Sequence, residues 1–565
     1  MKKVLFMDNI IYWDSDETIL FAAEELERLM RGAGAESLIG DRASFLVPNE
    51  ERYPRIILIG TEEYNSFTEK NITLQKDGFE IVHSEKDTWI IGNEPRSILY
   101  GVYYYCRERF GYRWIELEKE TIHPVQNNRE NYIHEPLFAR RGNILETIDD
   151  PAYINSLIDW GVKNGQNEYF FTFFLWDSIK TYVAPELQKR DVHVTLGGHS
   201  LSYLLKVIQK EDSGENLQEE EKLKFFAENT ILQEKVIQKI VEICLEHRVI
   251  TRISLWPEDV GIDEKNADGF LQTYIRFTEK LKKALSEKAP HVEAEYIVYN
   301  AGLSWNMLER DQETEVSSQV DALYAYWGRD YSTSINSGEQ RQERATQALG
   351  DWIGQTENKG RSLTVLEYYS DHFMLSEIFP PLVTRINQDL QDYKELNVEG
   401  VLNLIVPIHH KKGSPELLEN YPWKWIHHLN NYIYTRIAWG ERFEDIVEEY
   451  FTIFNEGKDQ FYSIILQLEN MVSQHTKYNA PLFPARIVDP EKVTKQIKEL
   501  MIVEYLEQVE TLIDTWDLGE SEPLVTSERN DSTLLSAKEM MLIYLSQLKK
   551  SVKLYSDTWA LKERI

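Results

Sequence analysis

Two glutamates sit where apolar runs end: Glu258 in Ile253-Ser254-Leu255-Trp256-Pro257-Glu258-Asp259-Val260-Gly261, and Glu367 in Val365-Leu366-Glu367-Tyr368-Tyr369-Ser370-Asp371. Two carboxyls across one pocket are what cleavage of a glycosidic bond needs. One protonates the leaving oxygen while the other attacks the anomeric carbon or activates water. An indole such as Trp256 desolvates a neighbouring carboxyl and raises its pKa, which suits Glu258 to the acid role, with Asp259 placed to orient or repel it. Glu258 and Glu367 are therefore the expected catalytic pair. Their separation would set the outcome, about 5–5.5 Å for retention and about 6.5–9.5 Å for inversion.

Other polar and aromatic residues recur at the ends of apolar runs. Ala139-Arg140-Arg141-Gly142-Asn143 offers a guanidinium fork at Arg141 and an amide at Asn143, both able to grip a polyhydroxylated ligand. In Leu196-Gly197-Gly198-His199-Ser200 two glycines allow close backbone approach and leave His199 exposed to a ligand. Tyr299-Asn300, Tyr326-Trp327 and Tyr368 add rings that stack on pyranose faces and polar tips that bond hydroxyls. Taken singly, each has an ordinary structural role: an ion pair for the arginine, a satisfied core position for the histidine, core filler for the rings. Their recurrence at run ends carries the ligand reading. No metal or cofactor is expected: His193 lies roughly 20 Å from His199 along a strand, and the pairs His409-His410 and His427-His428 do not share a helix face.

The elements that must position these groups follow from periodicity. Between Ala139 and about His410, eight short apolar runs start near Ala139, Glu168, Val192, Ile253, Glu293, Ala322, Leu363 and Val401, separated by helix-length connections. That is the pattern of a (β/α)8 TIM barrel, whose reactive groups lie at the C-terminal ends of its strands. A doubly wound sheet is the alternative, but no glycine-rich phosphate loop follows any strand. Ahead of the barrel, residues 1–135 mix helical and strand periods as a small α/β domain, with a helix from Pro95 to Phe110 stopped by Gly111. The barrel is expected over 136–425 and a helical domain, suited to mediating a homodimer, over 426–565.

Composition narrows the partners. The 62 Lys and Arg against 94 Asp and Glu leave a net charge of −32, which repels phosphate backbones and anionic headgroups, so neither nucleic acid nor membrane is expected. The longest apolar block, Tyr169 to Trp176, falls far below the ~20 residues of a membrane span. Cys106 and Cys244 are the two cysteines, too few for a disulfide framework or a cysteine-rich zinc site. The apolar run at Met1 breaks at Asp8, short of the ~7–15 residues of a signal-peptide core, so a cytoplasmic location is expected.

Asp77-Gly78-Phe79-Glu80-Ile81, Ile90-Ile91-Gly92, Arg96-Ser97-Ile98-Leu99-Tyr100-Gly101-Val102-Tyr103 and Gly111-Tyr112-Arg113-Trp114 resemble the α/β domain preceding the barrel in α-glucuronidases and β-hexosaminidases. Arg141-Gly142, Gly197-Gly198-His199, Glu367-Tyr368-Tyr369 and the stretch Asn431-Tyr432-Ile433 to Trp439-Gly440 resemble the family catalogued as domain of unknown function 4838. That grouping includes glycoside hydrolase family 163, endo-acting β-N-acetylglucosaminidases on N-glycans. The resemblance implies an active site at the barrel mouth, Glu258 and Glu367 as its acids, Arg141 and His199 as sugar contacts, and an oligosaccharide, of a β-linked N-acetylhexosamine or related sugar, as substrate. The pair Glu258-Asp259 is also similar, in reversed order, to the Asp-Glu pair of hexosaminidases that use the substrate's acetamido group as nucleophile. In that version Glu258 is the acid, Asp259 or another acid steadies the acetamide, and Glu367 binds. An α-glucuronidase-like exo-glycosidase is a second implication, with Arg140, Arg141, Arg252 and Arg329 available to a uronate. A carbohydrate-binding protein without turnover is a third reading.

Overall fold

The computed structural model describes residues 7–46, 54–125, 129–212, 225–228, 230–257, 269–300, 307–310, 314–327, 329–336, 340–375, 379–406, 423–473, 507–508, 511 and 537–563. The first unit is a six-stranded sheet in the order β2-β1-β3-β5-β4-β8, built from β1 (Met7–Tyr12), β2 (Glu36–Asp41), β3 (Arg55–Gly60), β4 (Phe79–His83), β5 (Asp87–Gly92) and β8 (Tyr132–His134). A two-stranded ribbon, β6 (Tyr112–Arg113) and β7 (Thr121–Ile122), stands apart from it. Strand β3 is buried on both faces at Ile56-Ile57-Leu58-Ile59, as a central parallel strand must be. The helices Glu17–Gly32 and Pro95–Phe110 cover one side of the sheet, and a smaller aromatic cluster of Trp13, Tyr64 and Trp89 fills the other. Pro95–Phe110 ends where expected: Gly111 takes φ 81° and donates to the Arg107 carbonyl, and a Cβ there would lie 1.9 Å from the His123 carbonyl oxygen.

Eight parallel strands then close into a barrel: β9 (Arg140–Leu145), β10 (Glu168–Thr172), β11 (His193–Gly198), β12 (Ile250–Leu255), β13 (Glu293–Tyr299), β14 (Asp321–Ala325), β15 (Leu363–Asp371) and β16 (Gly400–Val406), with β16 pairing back to β9. All eight begin within three residues of the positions expected from the sequence. The chain is a (β/α)8 barrel preceded by an α/β unit and followed by helices. Among the described residues, no helix is long and apolar enough to cross a membrane.

The helix Lys424–Trp439 completes the barrel wall over its closing seam. The Tyr434 hydroxyl lies 2.5 Å from the Val401 carbonyl of β16 and accepts the Gly142 N–H of β9 at 2.9 Å. The boundary expected at residue 425 falls inside this helix, which packing joins to the barrel. Beyond it come Phe443–Phe451, a 3-10 turn Thr452–Gly457, Lys458–Val472 and Ala537–Glu563. Buried Glu469 accepts the backbone N–H groups of Thr384 (3.0 Å) and Arg385 (2.8 Å), capping the barrel helix Val383–Glu395 from outside.

A buried carboxylate is one of the contacts that fasten the α/β unit to the barrel. Asp77, just ahead of β4 and fully buried, accepts from Arg96 Nη2 at 2.7 Å, Arg141 Nη2 at 2.8 Å and Asn167 Nδ2 at 2.6 Å. Burial opposes its charge, yet the Arg96 and Arg141 guanidiniums outweigh that and hold the carboxyl well below the usual range.

Candidate active site at the barrel mouth

The barrel floor fixes which residues face inward. Arg140 sends Nε and Nη2 to Glu168 at 2.8 and 2.7 Å, and Nη1 to Glu295 Oε2 at 2.7 Å and Thr364 Oγ1 at 2.9 Å. Thr195 donates to Glu168 at 2.7 Å. Arg252 donates to Asp321 at 2.8 Å and lies 3.6 Å from Glu295. Burial pushes the Glu168 carboxyl up, but Arg140 more than offsets it and draws it down to about 2. Arg140 and Arg252 are committed to this plug at the closed end, away from any sugar.

Strand alternation carries the inward set upward from the floor. Above Glu168 comes Phe170, above Glu295 come Ile297 and Tyr299, and above Thr364 come Leu366 and Tyr368. Phe170 and Trp256 lie 5.1 Å apart between ring centroids. His199 sits 5.3 Å from Trp256 and 6.0 Å from Tyr299. His199 Nδ1 is 2.6 Å from the Pro257 carbonyl, which assigns the ring proton to Nδ1 and leaves Nε2 an acceptor in the neutral ring. His199, Trp256, Tyr299 and Tyr368 are thus gathered at one mouth. Asn300 donates to the Trp327 carbonyl at 2.6 Å and accepts its N–H at 2.8 Å, tying the β13 and β14 ends together with Trp327 partly exposed. Tyr326 is buried and alternates with Ala325, whose strand position is inward, so it lies on the outer side of that strand end. Glu258 and Asp259 lie outside the described residues.

Besides Tyr326, three expected site residues turn away from the mouth because they occupy outward positions of their strands. Arg141 is buried against Asp77, the Gly165 carbonyl at 2.8 Å and the Phe138 carbonyl at 2.6 Å, with its guanidinium 5.1 Å over the Trp439 ring. Asn143 donates to Asn431 Oδ1 at 2.8 Å and accepts from Gln166 Nε2 at 2.8 Å, behind the barrel wall. Glu367 faces the helix Val383–Glu395: it accepts from Arg329, from the Tyr393 hydroxyl and, at 2.6 Å, from the Tyr331 hydroxyl. Arg329 also pairs with Asp389 of that helix. One guanidinium thus serves two buried carboxylates. Burial pushes Asp389 up and the nearby Glu367 charge adds to this; with Arg329 opposing, it stands at about 7.

Strand β15 has an irregularity that periodicity does not disclose. Its pairing with β16 shifts between Glu367 and Ser370. Tyr369 donates outward to Asp389 at 3.3 Å, and the next residue, Ser370, also faces outward, 3.4 Å from the His427 carbonyl and accepting from Asn403 at 3.1 Å. Two successive outward residues reverse the alternation, so Asp371 returns to the inner face at the strand's C-terminal end. Across the seam, Glu146 follows β9 in register with inward Arg140 and Ile144. Its Oε1 lies 3.6 Å from where a Gly198 Cβ would stand. Burial, then the charges of Asp371, Tyr299, Glu367 and Glu146, push the Tyr368 phenol well above its ordinary value. Sequence reasoning passed over both acids: Asp371 was visible at the end of strand seven, but the bulge that aims it was not.

Residues 2–105 match the family model described as the glycosyl hydrolase family 67 N-terminus. No curated protein matches the chain by sequence. Among solved structures, the fold is shared with a GH138 enzyme targeting pectin rhamnogalacturonan II (12% identity, 98% of this chain and 69% of the other, TM-score 0.55). It is shared also with a GH115 4-O-methyl-α-glucuronidase with specificity for decorated arabinogalactans (10% identity, 98% and 72%, TM-score 0.57) and with CpGH84D (11% identity, 98% and 90%, TM-score 0.51). The chain therefore combines an N-terminal segment similar to that of family 67 glycosyl hydrolases with a barrel architecture shared by glycoside hydrolases of several families.

Proposed function

We propose that this protein is a glycoside hydrolase that cleaves an oligosaccharide at the C-terminal mouth of the barrel, by a two-carboxylate mechanism. The observation that carries the reading is the convergence of His199, Trp256, Tyr299 and Tyr368 on one mouth, with inward carboxylates beside them. Rings stack on the sugar, the histidine and phenols bond its hydroxyls, and carboxyls move the protons. The family 67 N-terminal match supports the same reading. So does the resemblance to the domain of unknown function 4838 grouping with its family 163 members. Glu258, which follows Trp256-Pro257 in sequence, is proposed as a further carboxyl of the site.

The substrate we propose is a β-linked N-acetylhexosaminide or a related neutral oligosaccharide. An α-glucuronide is the second reading, favoured by the N-terminal match and by the GH115 glucuronidase among the fold neighbours. Against it, all four arginines expected to receive a uronate are engaged elsewhere: Arg140 and Arg252 in the floor, Arg141 with Asp77, and Arg329 with Glu367 and Asp389. Release of aryl alcohol from β-N-acetylglucosaminide, β-galactoside, β-glucoside and α-glucuronide substrates tests both readings. Turnover of the N-acetylglucosaminide or another neutral glycoside is expected, and turnover confined to the glucuronide selects the second reading. Oligosaccharide binding with no hydrolysis of aryl glycosides or oligosaccharides would replace the enzyme by a binding protein.

A further inference from the structure

Resting on the hydrolase reading, we infer that the strand-seven carboxylate acting on the substrate is Asp371, with Glu146 at the end of the first strand as its partner across β16. The inference stands on backbone geometry. Thr364, bonded to Arg140 in the barrel interior, fixes the inward face of β15, and that face carries Leu366 and Tyr368. Strict alternation would send residue 371 outward with Glu367 and Tyr369. The bulge places Ser370 outward as well, against the helix Lys424–Trp439, and so turns Asp371 into the mouth. Bulges beside active sites serve to re-aim a side chain. Asp371 is buried, whereas Glu146 is half-buried and closer to solvent.

Glu146 owes its position to two strand ends. Its backbone carbonyl accepts from the Thr172 hydroxyl at 3.1 Å, anchoring it to β10. Its carboxyl lies beside Gly198, with Oε1 3.6 Å from where a Cβ on that glycine would stand. The two acids therefore stand at the inward ends of the first and seventh strands, separated in the barrel by β16 alone. In hydrolysis, one carboxyl gives its proton to the glycosidic oxygen as the bond from the anomeric carbon to that oxygen breaks. The other takes a proton from the water whose oxygen bonds to the same carbon. Each carboxyl ends in the other's starting state, and exchange with solvent restores both.

The test is hydrolysis by wild type, Asp371→Asn and Glu146→Gln of the aryl glycoside that wild type turns over best, with a good and a poor leaving group, alongside thermal melting of each protein. Loss of roughly 10²–10⁴-fold in kcat by both variants, at melting temperatures that show them folded, is expected. The variant lacking the acid should recover activity on the good leaving group and the other should not. Either variant hydrolysing within tenfold of wild type on the poor leaving group would overturn the assignment. Should Asp371→Asn fail to fold, Asp371→Glu keeps the charge but moves it by a methylene, and full activity in that folded variant would also overturn it. Wild type inactive on every glycoside would instead sink the hydrolase reading itself.

Discussion

Arg140 on the first barrel strand donates to Glu295 on the fifth at 2.7 Å, straight across the barrel interior. With Glu168 and Thr364 on the same guanidinium, this contact closes the floor and sets the alternation that aims every residue above it. Replacing Arg140 with Met strands two buried carboxylates, and such a break costs about 3–5 kcal/mol. Urea unfolding should show that loss as a lower midpoint, and a variant within about 0.5 kcal/mol of wild type would contradict the role given to the floor.

The same floor predicts acid lability. Glu168 is drawn down to about 2 and Asp77 is held well below its ordinary value, while an unfolded carboxyl titrates near ~4. A depressed folded value contributes stability that is complete above the unfolded value and is lost as pH falls through the folded one. Melting temperature should therefore fall steeply from about pH 4 toward pH 2. The fall should be shallower in Asp77→Asn, which starts from a lower stability because Arg96 and Arg141 lose their shared carboxylate.

Asp389 has the opposite sign. Its carboxyl is pushed up to about 7, first by burial and then by Glu367, so its neutral form is the one folding favours. That contribution is complete below the unfolded value near ~4 and is lost as pH rises through about 7. Asp389→Asn should flatten the decline in stability between about pH 5 and 8. Arg329→Met, which leaves both Glu367 and Asp389 without their cation, should destabilise by about 3–5 kcal/mol at neutral pH and less in mild acid. An unchanged pH profile in Asp389→Asn would rule out its titration in this range.

Gly197 is a packing requirement. A Cβ there would stand 1.7 Å from the Ser254 carbonyl oxygen of the adjacent strand, and backbone cannot step aside as a side chain can. Gly197→Ala should cost about 3 kcal/mol or more. At Gly350, on the helix Gln340–Asn358, nothing lies within 4 Å of the same atom. Gly350→Ala should be neutral or stabilising by up to about 1 kcal/mol. Paired thermal melts check both.

The barrel was legible because parallel strands covered on both faces read as short continuous apolar runs, and Tyr169-Phe170-Phe171 or Val401-Leu402 mark themselves in that way. What could not be read was side. Arg140 and Arg141 are adjacent and equally plausible as ligand contacts, yet a strand's period of two sends one into the floor and the other to Asp77. Glu367 looked catalytic for the same reason that Asp371 did not: sequence carries no sign of the bulge between them. The Asp77-Gly78-Phe79 and Arg96-Ser97 motifs were legible as a family resemblance. Their physical meaning, a buried carboxylate shared by guanidiniums of two units, needed the fold.

Asp371→Asn and Glu367→Gln, assayed side by side on the aryl glycoside that wild type hydrolyses, separate the mouth carboxylate from the wall carboxylate. A carboxylate at the mouth controls chemistry, whereas one in the wall controls stability. Asp371→Asn should stay folded and lose roughly 10²–10⁴-fold in kcat, while Glu367→Gln should melt at a changed temperature but keep kcat per folded molecule. A Glu367→Gln protein that is folded and inactive, beside an active Asp371→Asn, would contradict this assignment.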